Sequence, residues 1–127
     1  MREGRGVGIE GKDSVNDTTS AAFEKIRESA KHWKVNVTEH AYDEADQDGI
    51  SMVDVINTLP GGEVIEDYPD DRRGASCLVL IYIGAERTPV HAVCGYDEET
   101  EYAIIVTVYL PDPQRWSSDY RERRRMK

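Results

Sequence analysis

Large apolar side chains are scarce in this chain, which has one Phe, two Trp and four Leu among 127 residues. Leu, Ile, Val and Phe together number 26, about a fifth of the chain, close to the composition at which a sequence stops burying enough surface to fold. Their distribution offsets the shortage. Between Ile50 and Leu110 there are 19 such residues, against 7 in all the rest, so one compact core with weaker flanks is expected. No apolar run comes near the ~20 residues a bilayer-spanning helix needs, and the start has no signal-peptide stretch; a cytoplasmic protein with no membrane association is the expectation. Two cysteines, Cys77 and Cys94, are too few for a disulfide framework or a four-ligand zinc site. The sequence also lacks a P-loop, a G-x-G-x-x-G run and a G-x-S-x-G elbow. Residues 44–49 carry acids in a calcium-loop-like spacing, but Ile50 follows Gly49 directly and the twelfth position is Val55, so the register is wrong. No cofactor and no metal are expected.

Positive charge is also in short supply: 16 Lys and Arg face 25 Asp and Glu, a formal net charge of −9. Such a balance opposes indiscriminate binding to nucleic acid. The charge is uneven, however, with +4 on residues 115–127 and −13 on residues 1–114. An acidic body with a basic end can bind a basic partner, neutralise itself, or touch RNA through that end alone; a solvated tail is the plainest reading.

What is present has a clear order. Residues 1–17 hold four of the ten glycines and no apolar period, and read as a disordered leader. Residues 18–116 read as a single α+β domain, and 117–127 as a basic C-terminal tail. After the Thr18, Thr19, Ser20 cluster, Phe23, Ile26, Ala30 and Trp33 recur at steps that place them on one helical face. Val35–Thr38 is a short β-favouring run. Thr38 can cap a second helix over 39–48, ended by Gly49, with a thin apolar side (Ala41, Ala45) and an acidic one. Ser51 and Asp54 form a capping-box variant ahead of a third helix bearing Met52, Val55, Ile56 and Leu59, which Pro60-Gly61-Gly62 terminates. The pattern then becomes extended, with strands expected over 63–68, 76–83, 89–96 and 102–110, linked by short turns. Helices followed by a meander predict N-terminal helices packed on one face of a roughly four-stranded antiparallel sheet.

Alternation assigns faces. If Ile83 opposes Thr88, Cys77 lies opposite Cys94; if Tyr96 opposes Tyr102, Cys94 lies opposite Ile104. Cys77, Val79, Ile81, Ile83, Val90, Ala92, Cys94, Ile104, Val106 and Val108 then share an apolar face toward the helices. The other face carries Leu78, Leu80, Tyr82, His91, Val93, Ile105, Thr107 and Tyr109. His91 with Tyr82 and Tyr109 is the chemically interesting group, since an imidazole can move protons and phenols can position a phosphate or a 2′-hydroxyl. The plain alternative is a histidine satisfied by backbone, with tyrosines packing by their rings. The cysteines read as small buried hydrophobes, with a cross-strand disulfide as the alternative.

Several stretches carry a resemblance: VTEHA (37–41), DGIS (48–51), GEVIEDYPDDRRG (62–74), SCLVL (76–80), PVHAV (89–93) and TVYLPDPQRW (107–116). Over 37–116 the chain resembles the family catalogued as domain of unknown function 4258. Members are similar to the RelE and MqsR toxins, compact α+β ribonucleases of bacterial toxin–antitoxin pairs. The resemblance implies a RelE/MqsR-like fold, an RNA-directed activity, RNA as a ligand and a small zinc-finger antitoxin as partner, with no DNA binding by the toxin-like chain itself. His91, Tyr109, Arg115 and Trp116 match the family's pattern, and His40 matches its helix-two histidine. Where many members place arginines after that histidine, this chain holds Glu44 or Ala45 and Asp48.

Two functions follow. The first is a metal-independent endoribonuclease toxin, with His91 as base or acid, Tyr109 and Tyr82 positioning the phosphate, Arg115 and the basic end as a clamp, and Thr107, His40 and Trp116 lining the substrate site. The second is a catalytically degenerate protein-binding module of the same fold, whose acidic second helix and exposed Tyr and Trp residues hold a partner.

Overall fold

The computed structural model describes residues 20–125. The expected leader (1–17), the candidate caps Thr18 and Thr19, and the last two residues lie outside the described residues.

Ser20 is the cap of α1 (Ala21–Lys31): its hydroxyl accepts from the Phe23 amide at 3.2 Å. Phe23, Ile26 and Ala30 are buried along one side, as their spacing requires. Trp33 departs from that expectation. The helix stops at Lys31, Trp33 takes a left-handed φ of 59°, and its indole turns outward to donate to Asn57 Oδ1 at 3.2 Å. The reversal aims the chain into β1 (Val35–Val37), where continuation of the helix would carry it past the sheet. Thr38 caps α2 (Glu39–Asp48) through the Ala41 amide, and Gly49 ends it at φ 68°. Ser51 caps α3 (Met52–Thr58) through the Asp54 amide, and a short 3-10 turn follows over Leu59–Gly61.

Four strands then form the meander: β2 (Glu63–Tyr68), β3 (Ser76–Ile83), β4 (Thr88–Asp97) and β5 (Tyr102–Tyr109). The sheet has five strands, not four, in the order β1-β5-β4-β3-β2, and it is mixed, because β1 lies parallel to β5. The extra strand is the β-favouring run noted in the sequence. Three residues show no period of their own, and the partner that makes them a strand lies near the far end of the chain.

The β3–β4 register is the expected one, with Ile83 opposite Thr88 and Cys77 opposite Cys94. The β4–β5 register is not. Tyr96 pairs with Ala103, Cys94 with Ile105, and after an irregularity Val93 pairs with Thr107 and His91 with Tyr109, leaving Val106 as an extra residue on β5. Consequently Ala103, Ile105 and Val108 face the helices, whereas Ile104 and Val106 are only partly buried and do not join the helix-side core. One inserted residue exchanges the faces of half a strand.

The helices cover one sheet face and close a core that includes Ile26, Val55, Leu59, Val79, Ile81, Val90, Ala92, Cys94 and Ile105. Cys77 and Cys94 are free thiols buried within it, and burial pushes the Cys77 thiol up to about 11. The second face holds a smaller cluster of Ile65, Leu78, Leu80 and Trp116, with Tyr68, Tyr82, Val93 and Tyr120 packed around it.

Candidate functional site

His91 sits at the centre of the second face. Alternation along β4 points it away from the helices, and pairing sets it between Leu80 on β3 and Tyr109 on β5. It is fully buried. What covers it is the chain after β5. Residues 115–124 fold into a small hairpin, with Arg124 N donating to Arg115 O at 2.8 Å and Ser117 N donating to Glu122 O at 2.7 Å. This hairpin lies on the sheet and inserts Trp116, whose ring meets the imidazole edge-on at 4.4 Å between centroids.

Both imidazole nitrogens are engaged. Nε2 lies 2.9 Å from the carbonyl oxygen of Tyr120 and Nδ1 lies 3.2 Å from the hydroxyl of Tyr109. A carbonyl can only accept, which places the proton on Nε2 and leaves Nδ1 to accept from the Tyr109 O–H. Burial lowers the His91 pKa below its ordinary value, outweighing the Tyr120 carbonyl and the Glu66 carboxylate, both of which favour the cation. Burial likewise raises the Tyr109 phenol. The group is thus a neutral imidazole in a buried, fully bonded setting.

Charged pairs frame it. Arg123 Nε and Nη2 reach the two Glu66 oxygens at 2.7 and 3.1 Å, and the same guanidinium lies 4.7 Å over the Trp116 ring. Arg121 Nε contacts both Glu63 oxygens at 2.9 Å. Glu66 also accepts from the Tyr68 hydroxyl. Burial opposes the Glu66 carboxylate, but the Arg123 and Tyr68 hydrogen bonds prevail and hold its pKa below the usual value. Burial and that carboxylate push the Tyr68 phenol up to about 12. Arg121 and Arg123, read from the sequence as part of a basic tail, neutralise acids of β2.

The sequence-derived candidates therefore divide. His91, Tyr109 and Trp116 converge in one contact group. Thr107 shares their sheet face opposite Val93 and is partly buried. Tyr82 lies on the same face farther along β3, with the Arg87 guanidinium 5.1 Å over its ring. Arg115 is exposed and its ion pair is with Asp112, at 3.7 Å. His40 stands on the exposed side of α2, 3.2 Å from Glu44. Glu44, at one of the arginine positions of the resembling family, has local work: its Oε1 accepts from the Val108 amide at 3.1 Å, beyond the reach of the short β1. Sequence reading missed Tyr120, Glu63, Glu66, Arg121 and Arg123, whose pairing across the whole domain leaves no periodic signal.

Comparison with known proteins adds one finding. A family model described as domain of unknown function (DUF4258) matches residues 37–110, more than half of the chain. The matched span ends before Arg115 and Trp116. No curated protein and no solved structure matches the chain.

Proposed function

The chain belongs to the DUF4258 family, and on that premise we propose that it is a protein-binding module of toxin-like architecture, holding a partner and cutting no RNA. The observation that carries this reading is the state of His91. A general base must reach the proton it removes, and this imidazole has no exposed surface and no uncommitted nitrogen. Three of the cations expected around a scissile phosphate, Arg115, Arg121 and Arg123, are paired with Asp112, Glu63 and Glu66. Kinship with RelE and MqsR toxins belongs to the proposal as well, and rests only on what the family resemblance implies.

The partner-facing surface lies on the helical layer. Trp33 is 48% exposed and Val53 56% exposed, and the Trp33 indole is tied to Asn57, one turn beyond Val53 on α3. Tyr42 is 53% exposed on α2, among Glu39, Asp43, Asp46 and Asp48. Aromatic anchors beside acids suit a partner with an apolar centre and a basic rim, of which a small antitoxin protein is one form.

The test is co-expression with the protein encoded beside it, together with RNA cleavage assays. The expected result is a stoichiometric complex, weakened about tenfold or more by Trp33→Ala, and no cleavage by either free chain or complex. RNA cleavage by the wild-type chain, abolished in Tyr109→Phe with the fold intact, would overturn the proposal. A nuclease reading has one observation in its favour, the convergence of His91 and Tyr109, and it requires the 115–124 hairpin to lift.

A further inference from the structure

Trp116 and Tyr120 cover His91 from a segment that is lightly attached. The backbone bonds of the 115–124 hairpin are internal, from Ser117 to Glu122, Tyr120 to Ser117 and Arg124 to Arg115. Among the described residues, none of its amides or carbonyls bonds to the backbone of the sheet. Each hold on the sheet runs through a side chain: the buried Trp116, the His91 ring on the Tyr120 carbonyl, and the ion pairs Arg121–Glu63 and Arg123–Glu66. Both guanidinium groups keep much of their surface in solvent, and pairs so exposed add little.

Two further features bear on this segment. Tyr120, whose carbonyl is set on His91, has φ 65°, a left-handed conformation that is costly for a residue with a side chain. Strain of this kind gathers at clamps and switches. The second feature is what the hairpin covers. The core cluster under the helices consists of apolar side chains and two thiols. Under the hairpin, the imidazole of His91, the phenols of Tyr68 and Tyr109 and the Glu66 carboxylate accompany Ile65, Leu78 and Leu80. A face closed for good is most stable when apolar, because every polar group in it loses water and needs a partner. This one keeps groups that water also satisfies.

We propose that the 115–124 hairpin is a cover held in cis that opens as one unit while the rest of the fold stays intact, so that its closing governs access to His91 and Tyr109. The matched family span, 37–110, holds both residues and ends before the cover. The closed state is the populated one, and the open state presents the imidazole and the phenol to solvent. The inference does not rest on the partner-binding reading, which uses the helical layer and is scored by complex formation.

Native-state hydrogen exchange on the full-length chain tests it. The Ser117 and Arg124 amides and the His91 Nε2 proton are expected to share one opening free energy, smaller than that of the slowest amides of β3 and β4. Arg121→Gln with Arg123→Gln, which leaves the imidazole contacts in place, is expected to speed all three about threefold, and so is salt near ~1 M. Trp116→Ala is expected to speed them about a hundredfold or more. In the same variant, diethyl pyrocarbonate is expected to modify His91 as well as the exposed His32 and His40, counted by mass spectrometry. If Trp116→Ala fails to fold, exchange in the wild-type chain decides. Exchange of the three protons only together with the slowest β3 and β4 amides, or hairpin amides exchanging while the His91 proton stays protected, would overturn the proposal.

Discussion

His91 is a histidine made neutral by where it is placed. Its proton sits on Nε2 toward the Tyr120 carbonyl, and its lone pair faces Tyr109. Removing the Tyr109 hydroxyl leaves that lone pair buried without a donor, so Tyr109→Phe should destabilise the fold by about 1–3 kcal/mol in urea unfolding. The pH dependence has a definite sign. The folded pKa of His91 lies below the unfolded value, so the unfolded chain takes up the proton first. Its stabilisation is complete above pH ~6.5 and is lost progressively as pH falls below that value. Glu66, also depressed, acts in the same direction in a lower window, losing its contribution as pH falls below the ordinary carboxylate range. Thermal melts of wild type and His91→Gln should therefore diverge in slope between about pH 6.5 and 5, the wild type alone losing stability steeply there. Parallel slopes would show that this imidazole titrates as it does in water. Sequence alternation placed His91 and Tyr109 on one face correctly. It could not show that Tyr120, eleven residues after β5 ends, would turn its carbonyl onto the ring, because that contact depends on a hairpin with no periodic pattern.

Element by element, the parts legible in advance were those with local chemistry. Thr38, Ser51 and Gly49 mark helix ends through bonds spanning three or four residues, and the expected caps are the observed ones. The parts that were not legible depend on tertiary contacts: β1 is a strand only through its pairing with the distant β5, the Trp33 indole meets Asn57 on α3, and the Val106 bulge shifts the register within a hairpin whose alternation alone gives no sign of it. Two substitutions test these junctions. At Gly62, which ends the turn after α3, an added Cβ would run into Val79 Cγ1 and Ile81 Cγ2. Gly62→Ala should cost about 1–3 kcal/mol through overpacking, read by chemical denaturation. Glu44 closes the β5 edge at Val108, and Glu44→Ala should cost about 1 kcal/mol and speed hydrogen exchange at the Val108 amide. Unchanged exchange there would mean that another group already protects the edge.

For the molecule as a whole, the asymmetry of charge has a structural outcome. The acidic body and the basic end meet across the second face, where Arg121 and Arg123 lie on Glu63 and Glu66. Arg123 is well exposed while Glu66 is largely covered, so their coupling should be modest, about 0.5–1 kcal/mol in a double-mutant cycle, and smaller at high salt. The hairpin is held chiefly by Trp116 and the small apolar cluster beneath it. Composition gave the charge division but not its destination, because a tail that folds back and one that stands free have the same sequence statistics.

Nitrogen-detected NMR of the three histidines across pH bears most directly on whether His91 is a sealed structural group. The expected result is an Nε2–H tautomer with a slowly exchanging proton and a pKa below that of free histidine, in contrast to the fast-exchanging protons of the exposed His32 and His40. An imidazole at position 91 that titrates at the ordinary histidine value and exchanges as fast as those two would contradict this and return the nuclease reading to first place.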